Sequence, residues 1–238
     1  MEVVYARCAG LDVHKKSIAA CVRIPGGQAG RRAAEVRTFR TTLAGLAELT
    51  AWLATHAVTH VAMESTGIYW RPVYAVLEGV VEVVLVNAWH VKMVPGRKTD
   101  VRDCEWLTQL LECGLLRASF IPPRPIRDLR DLTRLRKTLI RERSHHVNRI
   151  AKTLELANIK LGSVATDIMG KTGRAVITAL SAGIDDPARL AACAQGLLRK
   201  KQRELEEALT GHPRSHHAFL LQRHLALIDA LDEQIAIL

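Results

Sequence analysis

Val3-Val4-Tyr5-Ala6-Arg7-Cys8-Ala9-Gly10-Leu11, then Asp12-Val13-His14-Lys15-Lys16, then Ser17-Ile18-Ala19-Ala20-Cys21-Val22-Arg23-Ile24: two apolar runs flank a polar turn. Val3 to Leu11 and Ser17 to Ile24 read as paired strands, and Pro25-Gly26-Gly27-Gln28-Ala29-Gly30 is a turn-rich link to a third, Glu35 to Arg40. Three antiparallel strands therefore come first. Leu43, Leu46, Leu49 and Leu53 mark a helix opened by Thr41 or Thr42. Val61 to Glu64 is a short strand, Tyr69 to Leu77 a helix and Val81 to Val86 an apolar strand. Strands that alternate with helices imply parallel pairing, so the fold class is α/β: a mixed sheet with flanking helices.

The Pro122-Pro123-Arg124-Pro125 cluster ends this region, dividing the chain into residues 1–122 and 123–238. Beyond it the pattern is helical throughout: Arg127 to Leu156, then roughly Ser163 to Ser181, Pro187 to Gly196, Leu197 to Thr210, and Ser215 onwards. This second region is expected to be all-α, with a coiled-coil character. Leu225, Ile228, Leu231, Ile235 and Leu238 are still helix-periodic where the sequence stops, which reads as an element cut short whose apolar face favours a homo-oligomer, dimer or tetramer.

Charge singles out one of these helices. The chain of 238 residues has 34 Lys and Arg against 24 Asp and Glu, a formal charge of +10 and a pI near 9.7. Residues 124–160 alone hold 11 basic and 4 acidic side chains, whereas residues 161–238 hold 9 of each. Leu132, Leu135, Leu139, Val147, Ile150 and Leu154 form one stripe of the helix. Arg127, Arg130, Arg134, Lys137, Arg141, Asn148 and Lys152 form another on the opposite side. A helix of that length spans roughly 45 Å, enough to follow phosphates over about a turn of duplex. A solvated face of a coiled-coil arm is the bland alternative. Aromatics make up 4% of the chain, which favours backbone contact over base stacking.

Composition excludes other classes. With 48% hydrophobic residues the chain is neither disordered nor collagen-like. No window approaches the roughly 18 apolar residues of a membrane span, and no secretory leader opens it, so a cytoplasmic protein without a membrane partner is expected. Five cysteines without a C-x-x-C pair suggest no disulfide framework and no zinc site. Ten histidines include no H-x-x-x-H helix, and Gly170-Lys171-Thr172-Gly173 is not a full phosphate loop.

Four carboxylates stand out by position. Asp12 and Glu64 each end an apolar strand, and Asp100 and Asp103 sit three apart, on one face if helical. Taken singly, Asp12 could be a turn residue, Glu64 could open the next helix, and Asp100 and Asp103 could serve a helix N-terminus. Taken together, converging carboxylates repel unless hard cations neutralise them, and an oxygen-rich set suits Mg²⁺ or Mn²⁺. Two such ions activate a nucleophile and stabilise a leaving oxygen in phosphodiester cleavage.

Gly10-Leu11-Asp12-Val13-His14-Lys15, Met63-Glu64-Ser65-Thr66-Gly67-Ile68-Tyr69, Lys98-Thr99-Asp100-Val101-Arg102-Asp103 and the later His146-Val147-Asn148-Arg149-Ile150 resemble, in order and spacing, the DEDD transposases of the insertion sequence 110 family. The resemblance implies a RuvC-like, ribonuclease H-type N-terminal domain whose Asp12, Glu64, Asp100 and Asp103 match the family's catalytic, metal-binding tetrad. It also implies a helical region for assembly and nucleic-acid binding, with DNA and a structured bridge RNA as partners. The family completes its active site with a serine from a C-terminal domain, and no serine here matches that motif, so recombination by residues 1–238 alone is not expected. A stand-alone branched-DNA nuclease and a non-catalytic nucleic-acid-binding module are the alternatives.

Overall fold

The computed structural model describes residues 2–26, 32–93 and 103–238. The chain divides into two compact units, Met1–Pro122 and Pro123–Leu238.

In the first unit β1 (Cys8–Val13), β2 (Ser17–Ile24) and β3 (Ala33–Arg40) are followed by α1 (Leu43–Thr55), β4 (His60–Glu64), α2 (Trp70–Leu77), β5 (Glu82–Val86), α3 (Ala88–Lys92) and α4 (Asp103–Glu112). The five strands lie in the order β3-β2-β1-β4-β5. Pairing is antiparallel from β3 to β1 and parallel from β1 to β5, which is the ribonuclease H-like arrangement. The cause is local: a tight turn, closed by His14 N–H donating to Ser17 O at 2.9 Å, reverses β1 into β2. α1 and α2 instead carry the chain back so that β4 and β5 run with β1. Thr42 caps α1, its hydroxyl accepting from Gly45 N.

Side chains alternate across the sheet. Ala9, Leu11, Val13, Ile18, Ala20, Val22, Val61 and Met63 point to one face and pack on Leu46, Leu49, Trp52, Leu53, Val73 and Leu77 of α1 and α2. Each fully buried Leu or Met there contributes about 1.5–3 kcal/mol. The opposite face carries α4, with Leu111 against Cys8 and Ala62, and Leu107 and Leu110 against Val86 and Val91. Glu112, at the end of α4, is buried and ion-paired with Arg23 at 2.8 Å and with Arg32.

The first strand differs from its expected bounds. It starts at Cys8, not Val3, because its neighbours begin there: Cys8 pairs with Arg23 and with His60. Val3 and Val4 are exposed, and Val4 N and Tyr5 N donate to Glu112 O instead. The strand also runs past Leu11 to Val13, so Asp12 lies within it, opposite Ala19.

The second unit holds α5 (Arg124–Leu156), α6 (Leu161–Val164), α7 (Lys171–Ser181), α8 (Pro187–Ala191), a 3-10 turn (Gly196–Lys201), α9 (Gln202–Leu209) and α10 (Ser215–Ile237). α5 starts three residues before the sequence pattern does, because Pro125 falls in its first turn, where the missing N–H costs nothing. The helix expected over Ser163 to Ser181 is two, α6 and α7. Extended Gly170 precedes α7, and Gly173 packs so closely on the Ile168 carbonyl that the chain must bend there. α10 runs antiparallel to α5, since Arg143 pairs with Asp232 while His146 meets His224. The core gathers Ile150, Leu154, Val176, Ile177, Leu180, Leu221, Leu225 and Ile228. Leu132 and Leu135, by contrast, are exposed, so the apolar stripe of α5 is covered only in its later part. Among the described residues no helix is long and apolar enough to cross a membrane.

Candidate active site and nucleic-acid surface

Asp12 and Glu64 reach the same edge of the sheet by register. Cys8, Gly10 and Asp12 face α4, and so do His60, Ala62 and Glu64 on the adjacent parallel strand. Leu11 pairs with Met63, so Asp12 and Glu64 follow as the next neighbours at the carboxyl ends, on strands about 4.8 Å apart. Glu64 is also held in register from the far side, where it pairs with Val86 and Ser65 N donates to Val86 O at 2.9 Å. Asp12 meets His14 Nε2 at 3.0 Å.

α4 brings a third acid to that edge. It runs antiparallel to β1, its last residue lying by Val4 and Tyr5 and its second, Cys104, lying over Gly10. The crossing is close enough that a Cβ on Gly10 would stand 2.6 Å from Thr108 N and nearer still to Cys104 O. Thr108 Oγ1 ties the two layers, within reach of Cys104 O at 2.6 Å and Cys21 O at 3.2 Å. Asp103 precedes Cys104, in the first turn of α4, where the helix dipole favours an anion. A glycine inside an apolar strand is the sequence signal for such a crossing, whereas nothing in the sequence marks Thr108.

Three of the four predicted acids thus share one end of one face. Asp100 lies outside the described residues. Among the described residues no three His, Cys, Asp or Glu side chains come together as a ligand set. The donors that the backbone delivers to this edge are nonetheless all carboxylate oxygens, which suits Mg²⁺ or Mn²⁺. The thiols beside them are not ligands of that kind. Burial pushes Cys104 up to about 11, with Asp12 among the charges that add to the shift, and at the far end of β1 it pushes Cys8 to about 12.

In α5, Arg130, Arg134, Lys137, Arg141, Asn148 and Lys152 are exposed and Arg127 is half-buried. Arg143, which interrupts the apolar stripe in the sequence, instead spans to Asp232 of α10.

A family model described as a transposase, of the DEDD insertion sequence 110 type, matches residues 9–159. The chain belongs to that transposase family. The match takes in the whole sheet but for Cys8 at the start of β1, with Asp12, Glu64, Asp103 and the whole of α5. Among solved structures, the chain is similar to Thermus thermophilus RuvC in complex with a Holliday junction substrate, at 13% identity over 48% of this chain and 99% of that one, TM-score 0.33. It is also similar to a second structure of Thermus thermophilus RuvC, at 17% identity over 48% of this chain and 84% of that one, TM-score 0.31. No curated protein matches the chain.

Proposed function

We propose that this chain is the metal-dependent, DNA-cleaving N-terminal part of an insertion-sequence transposase, a cytoplasmic enzyme that acts with a structured bridge RNA. The observation that supports the proposal is that β1 and β4, which carry Asp12 and Glu64, are adjacent parallel strands crossed by the helix that Asp103 opens, in a chain of the DEDD transposase family. With Asp100, these carboxylates would hold Mg²⁺ or Mn²⁺. When bound, the metal activates the attacking group and stabilises the leaving oxygen of a phosphodiester.

The chain's own residues do the rest. Gly10 and Thr108 fix α4 on β1 and so set the height of Asp103 against Asp12. The basic stripe Arg127, Arg130, Arg134, Lys137, Arg141 and Lys152 holds nucleic-acid phosphates, which gives affinity without reading sequence. Residues 123–238 serve assembly as a homo-oligomer, and the serine that completes strand transfer comes from a further domain.

Calorimetric titration with Mn²⁺ tests the proposal. Wild type should bind, and Asp12→Asn combined with Glu64→Gln should lose that binding while melting no lower in chelator, because two like charges are removed. Equal metal binding by the two proteins would overturn it.

A further inference from the structure

The face that carries the acids carries a second row of side chains one step further along the strands. Residues two apart share a face, so His14 follows Asp12 on β1, and the 3.0 Å contact between them places it on that side. His14 N–H donates to Ser17 O across the turn, and Ser17 pairs with Arg40 at the end of β3. Phe39 is buried against α1, so Arg40 points the other way, towards the acid-bearing face. The row Glu64–Asp12–Ala19–Thr38 is therefore succeeded, about 6.8 Å on, by His14–Ser17–Arg40. Lys15 and Lys16 sit in the turn at the same corner.

Two properties separate this corner from ordinary solvated charge. Lys15, Lys16 and Arg40 are all exposed, and among the described residues none makes a side-chain hydrogen bond or ion pair. On the other face, by comparison, Arg37 is occupied in stacking over the Phe39 ring at 5.0 Å. The turn is also fixed from outside: Thr41 Oγ1 donates to Lys15 O at 2.8 Å and Thr41 N donates to Lys16 O at 3.3 Å. Cations on a pinned backbone lose less freedom on binding than cations on a loose loop.

We infer that Lys15, Lys16 and Arg40 form a phosphate-binding row that holds the backbone of the DNA strand presented to the acids, beside the bond to be cut. The electrostatics favour such a row. An edge of carboxylates repels the phosphodiester it acts on, and cations next to it supply the attraction that steers and retains the strand. The inference deepens the proposed cleavage function and rests on it. It is independent of the α5 stripe, which belongs to the other compact unit.

The test is the salt dependence of binding to a synthetic four-way DNA junction, with an RNA hairpin of similar size as a second arm and Mn²⁺ titration on the same samples. Each phosphate that is no longer neutralised by a cation should flatten the plot of log affinity against log salt by roughly 0.9. Arg40→Gln should therefore lower the DNA slope by about one unit and Lys15→Gln/Lys16→Gln/Arg40→Gln by about two to three, while Arg40→Lys keeps the wild-type slope. Mn²⁺ binding and melting temperature should stay at wild-type values in all three. A triple variant with the wild-type DNA slope overturns the row and leaves the metal reading standing. So does a slope that changes for the RNA hairpin alone. Wild type that binds no Mn²⁺ overturns the functional reading and the row with it.

Discussion

Replacing Gly10 by alanine should unseat the third acid without touching any acid. The added Cβ would lie 2.6 Å from both Thr108 N and Thr108 Oγ1, and closer to Cys104 O, where ordinary contact begins at 3.4 Å. Cys104 O and Thr108 N are backbone of α4, so no rotamer change relieves the clash, and the helix must retreat by about 1 Å. Overpacking of this kind costs about 1–3 kcal/mol. Loosening the Thr108 hydroxyl from Cys104 O and Cys21 O adds about 1 kcal/mol, for about 3 kcal/mol in all. For a unit of this size that lowers the melting temperature by roughly 10 °C. The assay is selective because Trp52, Trp70, Trp89 and Trp106 all lie in the first unit and the second has no tryptophan. Thermal unfolding followed by tryptophan fluorescence therefore reports on the sheet alone. Because Asp103 moves with α4, Gly10→Ala should also weaken Mn²⁺ binding in calorimetry. A Gly10→Ala protein that melts within about 2 °C of wild type would refute the close crossing as the device that sets the site.

Acid should loosen the second unit. Burial holds His146 and His224 below the usual imidazole value of 6.5, with Arg149 and His145 adding to the shift at His146 and His146 and Arg149 adding to it at His224, and the Nδ1 atoms of the pair are 3.1 Å apart. A depressed folded-state value means that the unfolded chain binds protons first, so stability present above pH 6.5 is lost as the pH falls below it. Far-ultraviolet circular dichroism melts from pH 7.5 to 5.5 should show that fall, and His146→Gln/His224→Gln should flatten it; a wild-type melting temperature constant over the range contradicts the pairing. The thiols provide a further check. Cys8, Cys21 and Cys104 are buried, and burial raises all three, Cys8 to about 12 and Cys104 to about 11, whereas Cys113 and Cys193 are only partly covered. A thiol reagent at pH 8 should titrate the latter two in the native protein and all five only in denaturant; rapid native modification of Cys104 would mean that α4 does not stay seated on β1.

Local patterns carry most of the first unit. Apolar runs of the right length, broken by polar turns, specify β2 and β5 almost to the residue, and a threonine pair before a leucine repeat specifies α1, with Thr42 the one that caps it. A strand's bounds, however, depend on what lies beside it, which is why Val3 to Arg7 fall outside β1 although they are apolar and β-branched enough to join it. The helix expected from Ser163 to Ser181 breaks for a similar reason, since Gly173 fits only where Ile168 has already turned the chain. Periodicity likewise marks Leu132 and Leu135 as an inner stripe, yet burial needs a partner, and the stripe is buried at Ile150 and Leu154, in a cluster with Leu221 and Leu225 of α10, while Leu132 and Leu135 stay exposed.

Residue types and their spacing along one chain suffice for the succession of strands and helices, the basic face of α5 and the choice of the acids as candidates. They do not suffice for the site. That β1 and β4 are the neighbours which the strand-end acids need, that α4 crosses β1 at Gly10, and that Arg40 comes to the same face from two strands away are settled only by the folded arrangement. These are matters of register and of packing distance between segments far apart in sequence, and such distances are set by which partners pair and how closely they approach, quantities that no local spacing contains.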